Sequence, residues 1–194
     1  MCIDGTRKFE EEKEDEWQWT SGATQLDGLL KAKFSEVHSV NIRLLQKEIP
    51  VLVVSVEKNR KGHLRELHQQ ICELPEIESV KMVLYVEHTV DANDLAVALW
   101  RFCNNLDPKR DYNLVQRPSK TNPSKNFACL GLDGTIKTKE FDNFQRDWPN
   151  IIVSSDETIR SVDEKWERLG LGEFIPSPSL KFKDQMYGEE AVAD

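Results

Sequence analysis

A chain of 194 residues with 39% hydrophobic side chains supports one packed domain, or one domain with an appendage. Its net charge of −8 argues against non-specific binding to nucleic acid or to anionic membranes, which needs a basic surface. No apolar run approaches the roughly 20 residues of a membrane span, and residues 1–9 lack the apolar core of a signal peptide. We therefore expect a cytoplasmic protein with no membrane span and no nucleic-acid partner.

The amino-terminal part of the chain combines an acidic run with two tryptophans. Residues 10–16 are almost entirely acidic, which predicts a solvated helix face or a loose arm. Trp17 and Trp19 follow with the spacing of one face of a strand; they could dock on a partner, but packing on their own domain is favoured. Apolar residues spaced i, i+3, i+4, i+8 then predict an amphipathic helix over 25–34. We assign residues 1–33 to an N-terminal arm and helix.

The central region contains strands that alternate with helices. Residues 37–45 alternate polar and apolar side chains, which predicts an edge strand with one wet face. The pattern then predicts strand, helix, strand, helix, strand over residues 50–57, 62–74, 81–87, 93–106 and 112–116. Such alternation implies right-handed crossovers. The predicted fold is α/β: a three-layer sandwich with a mostly parallel mixed sheet, one or two antiparallel edge strands, and helices on both faces.

The apolar spacing also predicts which helix faces are buried. In the 62–74 helix the stripe is Leu64, Leu67, Ile71 and Leu74, with His63 facing outward or forward. In the 93–106 helix the predicted stripe is Leu95, Leu99, Phe102 and Leu106. Asp91 is the predicted N-cap of this second helix, with Asp94 as a first-turn acid.

The carboxyl-terminal part begins with a loop over 117–126 and a short strand over 127–132. Ser154 and Glu157 form a capping-box pattern that predicts a last helix ending at Gly170. The predicted buried stripe of that helix is Ile159, Val162, Trp166 and Leu169. We assign 34–175 to the α/β domain and 176–194 to an extended tail that docks or frays. Residues 2–8 echo residues 131–137, either as two similar strand-turn units or by chance.

The cysteines and histidines do not predict a metal site. Cys2, Cys72, Cys103 and Cys129 lie far apart in the sequence and form no Cys-x-x-Cys pair. Buried free thiols in a reducing cytosol are favoured over a metal site or a redox pair. His63 and His68 are five residues apart, so they do not share a helix face well.

The strongest local candidate for binding is a basic turn between the first predicted parallel strand and its helix. Its side chains are Lys58, Arg60, Lys61 and His63. Helix starts at the carboxyl end of a parallel strand attract anions through free N–H groups and the helix dipole. The favoured alternative is a solvated basic turn on an acidic protein.

Loop carboxylates form the other candidate set. Asp133, Asp142 and Asp147 lie near Arg146 along the sequence, but their spacing does not favour acid–base chemistry over turn and cap roles. Gly-x-Gly-x-x-Gly, Walker, Gly-x-Ser-x-Gly and His-Glu-x-x-His patterns are missing. We predict no catalytic residue.

Three blocks of motifs occur in order between residues 34 and 171. The first is the strand 53–58 followed by Gly62-His63. The second spans 86–111 and includes Asp91, Leu99-Trp100 and Asp107-Pro108-x-Arg110-Asp111. The third comprises Gly131-Leu132-Asp133-Gly134-Thr135-x-Lys137, Arg146-Asp147-Trp148-Pro149 and Val162-x-x-x-Trp166. Together they resemble the C-terminal domain of the UbiD-type (3-polyprenyl-4-hydroxybenzoate) decarboxylases.

The resemblance implies the cleft-closing and oligomerisation domain of a carboxy-lyase that acts on an aromatic or unsaturated acid, such as polyprenyl-hydroxybenzoate in ubiquinone biosynthesis. In that family a preceding flavin domain holds prenylated FMN, a divalent metal and a Glu-Arg-Glu catalytic set. None of these groups is implied for this chain. The resemblance therefore implies a homo-oligomer that works with a flavin-binding domain, in cis or as a separate chain, and is not competent alone.

Three positions depart from the family pattern. His88-Thr89 stands where many members carry an acidic doublet, and Asn104-Asn105 where they carry Thr-Arg. Near Pro75 there is no lysine, although some members use one there to touch the cofactor phosphate. We therefore do not expect direct cofactor contact from this domain. Two alternatives remain open: an assembly module that uses the Trp17/Trp19 arm and the last helix, and a small-anion or nucleotide binder at the 58–63 turn.

Overall fold

The computed structural model describes residue 9, residues 24–122 and residues 124–193. The chain divides into two compact units, Met1–Arg146 and Asp147–Asp194. The acidic run, the Trp17/Trp19 pair and the 2–8 segment lie outside the described residues, so what was predicted for them stays a prediction. The predicted domain boundaries at 33/34 and 175/176 also stay predictions.

A five-stranded mixed sheet forms the centre of the first unit. Its strands are β1 (Val37–Asn41), β2 (Val51–Val56), β3 (Met82–Glu87), β4 (Tyr112–Pro118) and β5 (Asn126–Asp133). The spatial order is β1-β2-β3-β5-β4, with β2, β3 and β5 parallel and with β1 and β4 antiparallel at the two edges. The predicted mixed sheet is confirmed. The third parallel strand is β5, however, whereas the predicted third strand of the alternation became the antiparallel edge β4.

Helices cover both faces of this sheet. They are α1 (Leu26–Lys33), α2 (His63–Cys72) and α3 (Leu95–Asn105); a short helix, α4 (Lys139–Asp142), follows β5. Leucines of α1 and α2 join Leu52, Val54 and Val83 in one core cluster, and burying each such side chain contributes about 1.5–3 kcal/mol. The alternate strand residues Val53 and Leu84 are buried too, and α3 packs on β3 at that second face. The three-layer prediction is confirmed.

The buried face of α3 differs from the predicted apolar stripe. Leu99 and Trp100 are exposed, by 38% and 44%. The residues that turn inward are Val97, Ala98, Arg101, Phe102 and Asn105. Phe102 is buried as predicted, but the prediction for Leu99 was wrong, because the buried face of α3 also includes polar residues. A buried polar side chain is tolerated where it meets a partner, and the arginine and asparagine of α3 share a buried glutamate on β3.

Two predicted helix caps are displaced. Asp91 was predicted as the N-cap of α3, but Asp94 fills that position and accepts a hydrogen bond from the Val97 amide at 3.2 Å. The predicted cap Ser154 is likewise replaced by Ser155, which accepts from the Thr158 amide at 3.2 Å. Both predictions were wrong because neighbouring residues of similar chemistry satisfy the same local pattern.

The second unit contains a small two-stranded sheet and three short helices. Its elements are β6 (Val153–Ser154), α5 (Asp156–Asp163), α6 (Trp166–Leu169), α7 (Ser179–Phe182) and β7 (Val192–Ala193). The predicted last helix is therefore interrupted, although it ends at Gly170 as expected, with φ of +64°. Ile159 is buried as predicted, whereas Val162 and Leu169 are exposed. The predicted extended tail contains α7 and docks through β7, which pairs in parallel with β6.

Helices of the described ranges, residues 24–122 and 124–193, are all too short or too polar to cross a bilayer.

Candidate functional site

Charged side chains converge where the parallel strands end. Lys58 follows β2, Glu87 closes β3 and Asp133 closes β5. The carboxyl ends of parallel strands meet at one edge of a sheet, and in open α/β folds ligands bind in the crevice outside that edge. A cavity of about 410 Å³ lies there, which is within the usual size range of small-molecule sites.

The cavity is framed by the start of α2 on one side and by the start of β4 on the other. Gly62 opens α2 with φ of +76°, in the left-handed region that glycine adopts without strain. Lys61 and Arg65 are exposed cations on that side. Arg110 and Tyr112 line the opposite side. The cavity thus combines a cationic mouth with an aromatic wall.

Lys58 is held by carboxylates and by backbone. Its Nζ lies 2.8 and 2.7 Å from the two oxygens of Asp142, donates to the Ile136 carbonyl at 2.9 Å, and lies 4.0 Å from Asp133 Oδ2. The Lys58 side chain is only 8% exposed. Its positive charge is therefore already compensated within the domain, and its position is fixed.

Lys137 is a fully buried lysine in the same network. Its Nζ donates to Asp133 Oδ1 at 3.0 Å and to the carbonyls of Asp133 and Thr135 at 2.8 and 2.9 Å. Asp111 Oδ2 lies 3.6 Å away. Burial alone would raise the pKa of Asp133, but the ammonium groups of Lys137 and Lys58 hold that pKa below its ordinary value. Asp133 is therefore a structural anion.

Asp111 and Arg110 form a two-pronged ion pair at the cavity wall. Arg110 donates through Nε to Asp111 Oδ1 at 2.6 Å and through Nη2 to Oδ2 at 2.9 Å. The Asp107 amide also donates to Asp111 Oδ2, at 2.8 Å. This fork geometry fixes the arginine more firmly than a single contact would.

Glu87 fastens the end of β3 to α3. Arg101 donates to Glu87 Oε1 through Nε at 2.6 Å and also through Nη2. Asn105 donates to Glu87 Oε2 at 3.3 Å and to the Gly134 carbonyl at 3.1 Å. Asn105 belongs to the pair that departs from the family's Thr-Arg pattern, and here it closes a buried amide–carboxylate contact.

The residues of the predicted anion-facing turn have separate surroundings. Lys61 and His63 line the cavity together with Lys58, whereas Arg60 pairs with Glu66 at 2.6 Å. His63 was predicted to face outward or forward; its ring is buried, so the outward alternative is wrong, and the residue lines the cavity at the start of α2. The Asn59 amide donates to His63 Nδ1 at 3.3 Å, which leaves Nε2 to carry the proton and bond Glu36 at 3.1 Å. Anion binding at this turn stays a prediction.

The three candidate aspartates are divided between the two units. Asp133 and Asp142 both approach Lys58, while Asp147 belongs to the second unit. The predicted turn role fits Asp133, whose carboxylate accepts the Thr135 amide at 2.9 Å. Asp142 accepts the Thr138 amide at 2.8 Å.

One cluster was missed from the sequence. His68, Cys72 and Cys129 lie together in the core, and their ligand-type atoms are all within 4.8 Å of one another. A readable signal existed for two of them, because His68 and Cys72 are four residues apart and share a helix face. The third required knowledge that β5 lies under α2.

The fold and this edge define an α/β domain with a ligand-sized cavity at the carboxyl ends of its parallel strands. The family model of the 3-octaprenyl-4-hydroxybenzoate carboxy-lyase C-terminal domain matches residues 19–127, more than half of the chain. The chain belongs to this family, as its motifs had suggested.

Two relatives are longer than this chain. An uncharacterised protein of Aquifex aeolicus is 29% identical over 123 residues, which are 61% of this chain and 25% of that protein. An uncharacterised protein of Archaeoglobus fulgidus is 24% identical over 163 residues, which are 80% of this chain and 34% of that protein. The chain thus spans about a quarter to a third of the length of these relatives.

Solved structures support the fold assignment. The vanillic acid decarboxylase of Sedimentibacter hydroxybenzoicus in its open form is similar with a TM-score of 0.52 and 17% identity, over 78% of this chain and 33% of that chain. Its closed form gives a TM-score of 0.55 and 18% identity, over 76% and 31%. At these identities the likeness shows a shared fold.

Proposed function

We propose that this chain acts as the C-terminal domain of a UbiD-type carboxy-lyase that removes carbon dioxide from an aromatic or unsaturated acid, such as a polyprenyl-hydroxybenzoate. The observation that carries the proposal is the family match over residues 19–127 in a chain that spans only a quarter to a third of its relatives. A flavin-binding domain, in the same protein or as a separate chain, would supply prenylated FMN and a divalent metal.

The charge pairing at the cavity edge supports a division of labour. Lys58 forms ion pairs with Asp133 and Asp142, and Arg110 forms an ion pair with Asp111. A general acid or base must exchange a proton during the reaction, whereas these groups are committed to fixed ion pairs. The chemistry in this proposal therefore belongs to the flavin-binding domain.

The domain's own task in this proposal is closure over the reacting centre, together with assembly into a homo-oligomer. Closure excludes water and completes a site, and it requires a surface that keeps its shape while it moves. The buried network around Lys137 and the Glu87–Arg101 pair supplies such rigidity at the edge that bears the cavity. The decarboxylase of Sedimentibacter hydroxybenzoicus occurs in open and closed forms, which is in keeping with this role.

Reconstitution tests the proposal. The purified chain, supplied with prenylated FMN, Mn²⁺ and 4-hydroxybenzoate or vanillate, should release no carbon dioxide. The part of the Archaeoglobus fulgidus relative that this chain does not match is about two thirds of that protein. It should co-purify with this chain, and the mixture should release carbon dioxide faster than that part alone. Turnover by the single chain, or a lack of both association and acceleration, would contradict the proposal. Light scattering after gel filtration tests the homo-oligomer.

A small-anion or nucleotide site at the start of α2 is the second candidate. Lys61 and Gly62 line the cavity at the start of α2, a helix of ten residues, and Arg65 adds a further exposed cation. Calorimetric titration with FMN and with inorganic phosphate should then give heat that Lys61→Met reduces. The matched control is Lys47→Met, at the exposed end of a short 3₁₀ helix that does not line the cavity. Absence of heat with both ligands would eliminate this candidate.

A further inference from the structure

A second constellation of reactive side chains lies in the core between α2 and β5. His68, Cys72 and Cys129 are each at most 1% exposed. His68 Nε2 lies 3.6 Å from Cys72 Sγ, and the ligand-type atoms of all three residues fall within 4.8 Å of one another. The cluster brings together two sulfur atoms and one imidazole nitrogen.

The helix and the strand each direct their residues toward this point. His68 and Cys72 are one turn apart on the inward face of α2, because positions i and i+4 lie above one another. Cys129 is on the strand face beneath them, and Gly131, two residues further along β5, faces the same side. A Cβ at Gly131 would come within 2.7 Å of the His68 ring. The glycine therefore makes room for the imidazole.

Further contacts fix the orientation of the ligand groups. The Tyr85 hydroxyl lies 2.9 Å from His68 Nδ1, so that nitrogen is occupied by a hydrogen bond. A histidine that binds a metal through one ring nitrogen commonly holds such a partner on the other. His68 Nε2 is also 3.3 Å from the Cys129 carbonyl, to which it can donate in the metal-free state. The tyrosine hydroxyl can donate or accept, so it suits both tautomers.

An arginine fixes the end of α2 from outside the cluster. Arg117 donates to the Cys72 carbonyl through Nε at 2.8 Å and through Nη2 at 2.6 Å, and through Nη1 to Glu78 at 2.6 Å. These bonds hold the backbone of one thiol residue in place.

The spacing fits a zinc-class cation. Zinc binds cysteine sulfur at about 2.3 Å and histidine nitrogen at about 2.0–2.1 Å, and tetrahedral angles then place sulfur and nitrogen about 3.6 Å apart. The His68 Nε2–Cys72 Sγ distance of 3.6 Å matches that value. Soft thiolates with imidazole select zinc-class cations over magnesium or calcium. Of the three residues, His68 also lines the cavity at the strand ends, together with Tyr85.

We propose that His68, Cys72 and Cys129 form a three-ligand site for Zn²⁺ or a cation of similar chemistry. The proposal does not depend on the proposed function. The competing outcomes are buried thiols that only pack as small apolar groups, and a Cys72–Cys129 disulfide.

Cobalt substitution tests this site without any activity assay. The reduced, metal-free chain titrated with Co²⁺ should develop thiolate-to-cobalt charge-transfer absorption at one equivalent, and Zn²⁺ should abolish it. Cys72→Ser and Cys129→Ser should each lose most of this absorption. Cys103→Ser is the matched control, because it removes an exposed thiol of α3, and it should leave the absorption unchanged.

A stability measurement keeps the test valid if the serine variants fold poorly. In the wild-type chain, Zn²⁺ should raise the Tm relative to EDTA, because a cation that binds only the folded state stabilises it. Native mass spectrometry should find one metal per chain. A reduced wild-type chain with neither the absorption nor the Tm rise would overturn the proposal, as would absorption that depends on Cys103.

Discussion

The buried lysine at the strand ends gives the sharpest test of the structural account. Lys137 is fully buried, and its ammonium contacts Asp133 directly and Asp111 at 3.6 Å. The substitution Lys137→Met keeps most of the side-chain volume but removes the charge and three hydrogen-bond donors. Asp133 and Asp111 would then lose a buried positive partner, although Lys58 and Arg110 would remain near them.

The expected cost follows from breaking a buried ion pair on one side. Removing one partner of such a pair destabilises a protein by about 3–5 kcal/mol, because the other charge stays buried without compensation. With a urea m-value of about 2 kcal/mol per M for a small domain, the unfolding midpoint should fall by about 1.5–2.5 M at pH 7. Circular dichroism during urea unfolding measures this shift.

The pH dependence of the same variant provides an independent sign. In the wild type the pKa of Asp133 is lowered, so its contribution to stability is present above the unfolded-state value of about 3.9 and is lost as pH falls through the lower folded-state pKa. In Lys137→Met the burial effect is opposed by one ammonium fewer, and the folded-state pKa should rise. The stability difference between the two proteins should therefore shrink as the pH is lowered below about 4.

The matched control is Lys109→Met, which makes the same chemical change at an exposed turn. Surface substitutions of this kind change stability by no more than about 0.5 kcal/mol. If Lys137→Met also cost less than about 1 kcal/mol, or if the difference between wild type and variant did not vary with pH, the account of this network as a buried, charge-compensated cluster would be refuted.

Two further predictions concern the second buried pair and the glycine beneath the imidazole. Arg101→Met should lower the free energy of unfolding by about 3–5 kcal/mol, since it leaves the Glu87 carboxylate buried without its partner. Combining Arg101→Met with Glu87→Gln should recover part of this loss in urea unfolding, and no recovery would contradict the pairing. Gly131→Ala should lower the free energy of unfolding by about 1–3 kcal/mol through the clash with His68. Gly28→Ala, in an open part of α1, should instead raise it by about 0.4–1 kcal/mol. Equal melting temperatures of the two variants would refute the close approach.

The local sequence pattern was sufficient to predict most helices and strands and the three-layer arrangement of the domain. β2 is rich in valine, β3 is mostly apolar, and both are buried on both faces, while the stripe of α2 follows its apolar spacing. The order of strands required more, because β5 enters between β3 and β4 after a long loop. β4 is antiparallel because it forms a hairpin with β5, whereas the parallel pairing of β3 with β5 joins strands far apart in sequence, which local pattern could not show.

The site was less accessible to sequence reasoning for a related reason. Lys58 was recognised at the end of β2, but its partner Asp142 is 84 residues away and lies on α4. Arg101 was not predicted to face inward, because its burial depends on Glu87 at the end of β3. A charged residue exposes or buries itself according to its partner, and the partner is supplied by tertiary structure. The sequence pattern predicted a basic turn between β2 and α2, but it could not show that Lys58 is paired with Asp142.

This charge balance bears on how the domain would meet a flavin-binding partner. Ion pairs formed within the domain remain intact whether a cleft is open or closed, so a closing motion need not break and remake them. Lys61 and Arg65 differ from the buried pairs, because they are exposed at the mouth of the cavity. Exposed cations of this kind steer an anionic partner surface at low ionic strength and lose influence as salt rises. In the proposed enzyme, closure would therefore rest on a rigid edge whose buried charges are internally paired, while the exposed mouth sets the electrostatic attraction.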